Sequence, residues 1–179
     1  MIRNMLLAAF AGAAWLASAG SAAAQKLEYD CDTQAEHYSV LKAVQNGPGY
    51  AIAGNISLRE SFAVKQYATL GTLELAPEDQ SWRARLGLTA VMVDRKLVVM
   101  GSLEITRNGK AEDPQNLGTI LEYERGKTYP FQLTIGADGG SAMLAGHTLP
   151  VPLKASGKVN ASVICSGGEF LFTDLNLGG

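Results

Sequence analysis

Histidine is almost missing from this chain of 179 residues: His37 and His147 are its two, far apart in sequence and with no ligand-spaced partner. Zinc needs three or four converging ligands, so the pattern speaks against such a centre. Cysteine is as scarce, with Cys31 and Cys165 alone and no C-x-x-C pair for redox work. Aromatics make up 7% of the residues and the formal charge is −2. So weak a field gives no reason to expect nucleic acid or an anionic membrane as partner. The chain also lacks a G-x-S-x-G elbow, a P-loop and a G-x-G-x-x-G turn, the local signatures of nucleophilic and nucleotide chemistry. No long stretch carries a helical period. The reading is of a chain without catalytic motif, cofactor or metal site.

What is present opens with an export signal. Arg3 precedes an apolar run from Met5 to Ala17, then small residues ending in an A-x-A at Ala22 and Ala24. That order predicts a secretory signal peptide over 1–24 and a mature start near Gln25. The apolar run is short for a span, so no stable membrane span is expected after cleavage. Neither a twin arginine nor a cysteine at the cleavage point occurs, which fits general export without a lipid anchor. The alanine-rich signal has a bacterial look. The expected location is periplasmic or extracellular.

Residues 25–179 are then the size of one ordinary domain with its own core. An exported chain with one cysteine near each mature end predicts a Cys31–Cys165 disulfide, a staple closing a long loop.

Short alternating runs fill the rest. Tyr50, Ile52, Ile56 and Leu58 share one face of a strand, and Tyr129, Phe131, Leu133 and Ile135 share one face of another. Pro130 cannot donate to a ladder, so its strand starts at an edge or just inside one. Gly167-Gly168 between two alternating runs predicts a closing hairpin, with Cys165 opposite Phe170 and Val163 opposite Phe172 on the core face.

A second hairpin is expected with Arg95-Lys96 at its tip. Met92 then faces Val99, Leu88 faces Leu103 and Leu86 faces Ile105; a slip of one residue would set Arg85 against Ile105 on the core side. Gly, Pro, Asn and Asp turns separate the runs. The fold class that follows is all-β: an antiparallel β-sandwich, jelly-roll-like, held by one disulfide. An outer-membrane barrel is the structural rival, weakened by short runs and few aromatics.

Functional candidates come from the same register. Val91 meets Met100 and Val93 meets Val98 on the reverse face, making one hairpin end apolar on both sides; that candidate interaction surface needs cover. Arg85 and Glu104 read as a diagonal surface ion pair. The polar insertion 106–116 is expected as a loop, and its Asn108, Asp113 and Asn116, with Asp138 in another turn, form the candidate ligand loop, though all four residue types also make turns. Glu122 and Glu124 read as a solvated edge, since a glycosidase pair must flank a sugar. Asn55 and Asn160 open sequons that a bacterial protein leaves idle.

The expected function is thus a non-enzymatic exported β-sandwich acting in protein–protein interaction or self-assembly, its partner being an unknown protein or itself. The alternative is a carbohydrate- or small-ligand-binding module, with a glycan as partner.

Overall fold

The structure is a computed structural model that describes residues 26–63, 67–121 and 123–178. The segment 1–24, read as a signal, lies outside the described residues, and so does Glu122.

Among the described residues every regular element is a strand. In chain order they are β1 (Leu27–Asn46), β2 (Gly49–Ser61), β3 (Thr69–Pro77), β4 (Trp82–Val93), β5 (Lys96–Arg107), β6 (Lys110–Ala111), β7 (Gln115–Leu121), β8 (Thr128–Gly136), β9 (Gly140–Leu144), β10 (His147–Val151) and β11 (Lys158–Asn176). All pairings are antiparallel. β1 runs without interruption through the polar stretch from Asp32 to Glu36 and on past Val44.

The long strands β1 and β11 organise the molecule. The first half of β11 pairs with β3, from Val159 opposite Pro77 to Ser166 opposite Leu70. Its second half pairs with β2, from Gly168 opposite Ser61 to Asn176 opposite Ala53. β1 follows along the other side throughout, with a register break between Thr33 and Tyr38 at the same height. One ladder therefore runs β1-β11-β3-β4-β5, with β6 and β7 on β5, and the other runs β1-β11-β2-β8-β9-β10.

The two ladders face each other over one core. Gly71 of β3 lies against the Phe170 ring and Ile56, and Gly101 of β5 lies against Leu144 of β9. The result is a β-sandwich, the expected class, with two strands passing from one layer to the other.

The Gly167-Gly168 expectation needs correction. No hairpin forms there: the strand continues through both glycines and changes partner from β3 to β2. Gly167 takes a φ of 65°, which glycine adopts without a Cβ clash. Its carbonyl accepts from the Phe62 N–H at 2.9 Å and from Thr69 Oγ1 at 2.5 Å, so this buried acceptor is paired at the corner. The face assignment stands, since Val163, Cys165, Phe170 and Phe172 are all buried. The first two belong to one layer and the last two to the other. The strand passes from one layer to the other at this corner instead of turning back within a sheet.

The close approach at Gly71 carries a prediction. A Cβ there would sit 2.6 Å from Phe170 Cε1 and 2.9 Å from Ile56 Cδ1. Gly71→Ala should therefore cost about 1–3 kcal/mol by overpacking, read as a lower denaturant midpoint. An unchanged midpoint would mean the layers separate freely at that point.

The β4–β5 register also differs from expectation, by two residues. Asp94-Arg95 is the tip, with Val93 opposite Lys96, Leu88 opposite Gly101, Leu86 opposite Leu103 and Ala84 opposite Ile105. Both tip residues have positive φ, 48° and 65°, the type I′ geometry that matches strand twist. A slide of two residues keeps every side chain on its face, so hydrophobic pattern could not exclude it. Turn chemistry could have, because Asp tolerates the left-handed region better than Lys.

Pro130 does not mark an edge, since β8 pairs with β2 on one side and β9 on the other, yet it is tolerated at the start of the strand. Its carbonyl accepts from the Ala145 N–H in the β9–β10 turn, so its missing N–H points past the end of β9, whose ladder with β8 begins at Phe131.

Candidate functional site

The turns gather at two ends of the sandwich. At one of them, β3 ends at Pro77, β4 begins at Trp82, β5 ends at Arg107 and β10 ends at Val151. Asp79 there accepts from the Ser81 N–H at 3.0 Å. Hydrogen bonds from the backbone and hydroxyl of Ser81 hold the Asp79 carboxyl below its ordinary value. This small turn delivers Trp82 at the head of its strand.

Opposite Trp82 on β5 stands Arg107. Its Nη2 donates to the Pro152 carbonyl at 2.6 Å and its Nε to Glu112 at 2.6 Å, so the guanidinium braces the 152–154 segment against the sheet end. Asn108 and Gly109 follow with φ of 49° and 75°, an Asn-Gly type I′ turn into β6. The Asn108 N–H donates to the Ser81 carbonyl at 2.8 Å, tying this turn to the one before Trp82. Lys154 projects exposed beside them. Between Trp82, Arg107, Asn108 and Lys154 lies an open depression of about 460 Å³. An indole, a guanidinium, a side-chain amide and an ammonium thus border one hollow. Concave sites of this size with a few convergent polar groups suit small ligands.

The four residues of the candidate ligand loop do not come together. Asn108 borders the hollow. Asp138 is exposed in the β8–β9 turn at the same end, where Gly139 lies against the Val151 carbonyl. Asp113 is exposed beyond β6, and Asn116 belongs to β7, its backbone opposite Ser102. The stretch 106–116 is thus no loop. It continues β5, turns at Asn108-Gly109 and runs back along β5 as β6 and β7, because an Asn-Gly pair reverses the chain in two residues.

The residues of the candidate interaction surface pair differently from expectation. Val91 stands opposite Val98, whereas Met100 faces Thr89 and Val93 faces Lys96. Val91, Val98 and Met100 are half-buried; Val93 is 48% exposed, with Met92 beside it at 42%. Met100 also borders a hollow of about 340 Å³ formed with Thr89, Gly101, Ser102 and Pro114. Arg85 lies directly opposite Glu104, not diagonally. Its close partner is Glu74 of β3, at 2.8 Å, while Glu104 is 3.9 Å away.

His37 and His147 are exposed on separate elements. Among the described residues no group of three or more His, Cys, Asp or Glu could hold a metal. Glu124 pairs with Lys127 at 3.5 Å.

Trp82, Arg107 and Lys154 were not singled out from sequence as a site. Trp82 read as one more core-facing residue of an alternating strand, and it does pack partly against the core. The usable signal was its place immediately after a turn, where the residue stays partly exposed.

No family model matches the chain, and no curated protein matches it in sequence. Solved structures do resemble it in fold. The carbohydrate-binding module CBM66 from Bacillus subtilis superposes with a TM-score of 0.56 at 12% identity, over 83% of this chain and 84% of that one. The β-glucanase of Bacillus licheniformis gives 0.52 at 8% identity, over 84% and 76%. Galectin LEC-6 of Caenorhabditis elegans gives 0.50 at 13% identity, over 83% and 94%. At these identities the likeness is one of fold, a jelly-roll-like β-sandwich.

Proposed function

We propose that this protein is an exported binding module whose ligand is a carbohydrate, held in the hollow between Trp82, Arg107, Asn108 and Lys154. The observation that carries the reading is that hollow itself: a partly exposed indole with three hydrogen-bonding side chains around it. A sugar offers an apolar ring face and a rim of hydroxyls, and such a border answers both. The hollow is built on a rigid sheet end, as binding loops on sandwiches commonly are. Resemblance in fold to a carbohydrate-binding module and a galectin supports the class of ligand without identifying it. The disulfide fits an oxidising, exported setting.

The test is binding of the purified chain to a panel of neutral and acidic glycans, followed by calorimetry on the best of them. Lys154→Ala removes a free ammonium. Asn108→Gly removes an amide while keeping the type I′ turn. Each should weaken binding about tenfold, the worth of one lost hydrogen bond to a charged or well-placed group, with melting unchanged. Binding untouched by both variants would move the site elsewhere, and failure of every glycan to bind would remove the reading.

A second reading rests on the exposure of Met92 and Val93 at the β4–β5 hairpin end. That apolar tip supports contact with another protein or a second copy. Val93→Lys, at a side chain half in solvent, should then abolish the contact without changing the melt.

A further inference from the structure

The β1 backbone is paired along one side only, with β11, and among the described residues no strand of either layer pairs with its other side. A free edge of that length is a template for pairing, and proteins usually blunt it with charge, proline or a bulge. The half in the β2 layer is blunted by exposed Glu28, Asp30 and Asp32. The half in the β3 layer is not. From Tyr38 to Asn46 its register is regular, it has no proline, and Lys42 is its one charge.

The same short stretch holds the two most exposed large apolar side chains among the described residues, Tyr38 at 74% and Val44 at 59%. Both point to the outer face, because their partners Ser166 and Asn160 alternate with the buried Val163 and Cys165.

From this arrangement we propose that the protein self-associates by antiparallel pairing of β1 with β1 of a second copy, about a two-fold axis through Leu41. The register follows from the side chains. Centred on Leu41, Tyr38 faces Val44 of the second copy and Val40 faces Lys42, so each exposed apolar group covers the other. Centred on Lys42, the two lysines would oppose each other. Centred on Val40, Val44 would meet Glu36. Centred on Ala43, Tyr38 would lie opposite Pro48, beyond the end of the strand. The pairing joins two β1-β11-β3-β4-β5 ladders into one sheet with an isologous interface.

Sedimentation of the disulfide-intact chain from micromolar to millimolar concentration tests this. The expected result is a reversible dimer, weakened at least tenfold by Val44→Lys and by Tyr38→Lys with no change in melting, and left intact by Val93→Lys. A chain carrying both Tyr38→Cys and Val44→Cys should give a covalent dimer on mild oxidation, and Lys42→Cys should not. A monomer at every concentration overturns the proposal, as does a dimer indifferent to Val44→Lys. Loss of the dimer in Val93→Lys alone would place the interface at the hairpin end, and cross-linking through Lys42→Cys would refute the register.

Discussion

Removing the Cys31–Cys165 bridge, by Cys31→Ser with Cys165→Ser, is expected to cost several kcal/mol, the largest loss foreseen for a change at one site. The two half-cystines are separated by 134 residues and their Cα atoms by 6.5 Å. In the chain-entropy model, opening a loop of that length removes roughly 5 kcal/mol, although engineered cases often give less. That is comparable to the whole stability of a marginal domain. The bridge is placed where the loss would tell. Cys31 lies in the lower half of β1, opposite Phe170, and Cys165 lies in the upper half of β11, opposite Ser39. The sulfurs therefore fasten the edge strand across the corner where both strands change layer. Both residues are buried, so the serine hydroxyls add a desolvation cost. Denaturant titration of the oxidised chain against the double variant measures the effect. The oxidised chain, denatured without reductant, should titrate no thiol. Two thiols per chain would contradict the bridge, and a difference under about 1 kcal/mol would mean that packing alone holds the corner.

Faces were legible in the sequence and partners were not. Alternation along Tyr50–Leu58, Leu86–Ala90 and Tyr129–Ile135 assigns the buried side correctly, since period two is a property of the strand itself. Pairing is a property of two strands and of the turn between them. The Arg95-Lys96 tip placed every residue on the right face and opposite the wrong neighbour, because a slide of two preserves the face. Gly167-Gly168 shows a different limit. A glycine pair permits a sharp change of direction but does not say whether the chain returns within its sheet or crosses to the facing one. The hydroxyls of Thr33 and Thr69, which donate to the Gly168 and Gly167 carbonyls, come from strands remote in sequence. No local pattern could have named them. The hollow at Trp82 was hidden for the same reason, since Lys154 reaches it from a segment held by partners remote in sequence, among them the bonds of Arg107 to the Pro152 carbonyl and of the Ala155 N–H to the Gly136 carbonyl. The apolar hairpin end could be named as a candidate because its four residues are local in sequence, while their pairing could not.

Leu86 and Leu103 test that distinction quantitatively. Both are fully buried, and they stand directly opposite each other between β4 and β5. Leu86→Ala or Leu103→Ala should each cost about 2–5 kcal/mol, the transfer term for the lost methyls plus the cavity left behind. Because the side chains touch across the strands, the double variant should cost less than the two losses added, by about 0.5–3 kcal/mol of coupling. Leu88 is the informative control. It is buried as deeply but faces Gly101, so Leu88→Ala should be as costly alone and couple more weakly to Leu103→Ala. Thr89→Ala, on the outer face and half-exposed, should change stability by under about 0.5 kcal/mol. Denaturant midpoints at constant slope give all of these numbers. Strong coupling of Leu103 to Leu88 and none to Leu86 would restore the Arg95-Lys96 tip. The turn chemistry argues against that outcome: only the Asp94-Arg95 tip gives the type I′ turn a first residue that accepts positive φ readily.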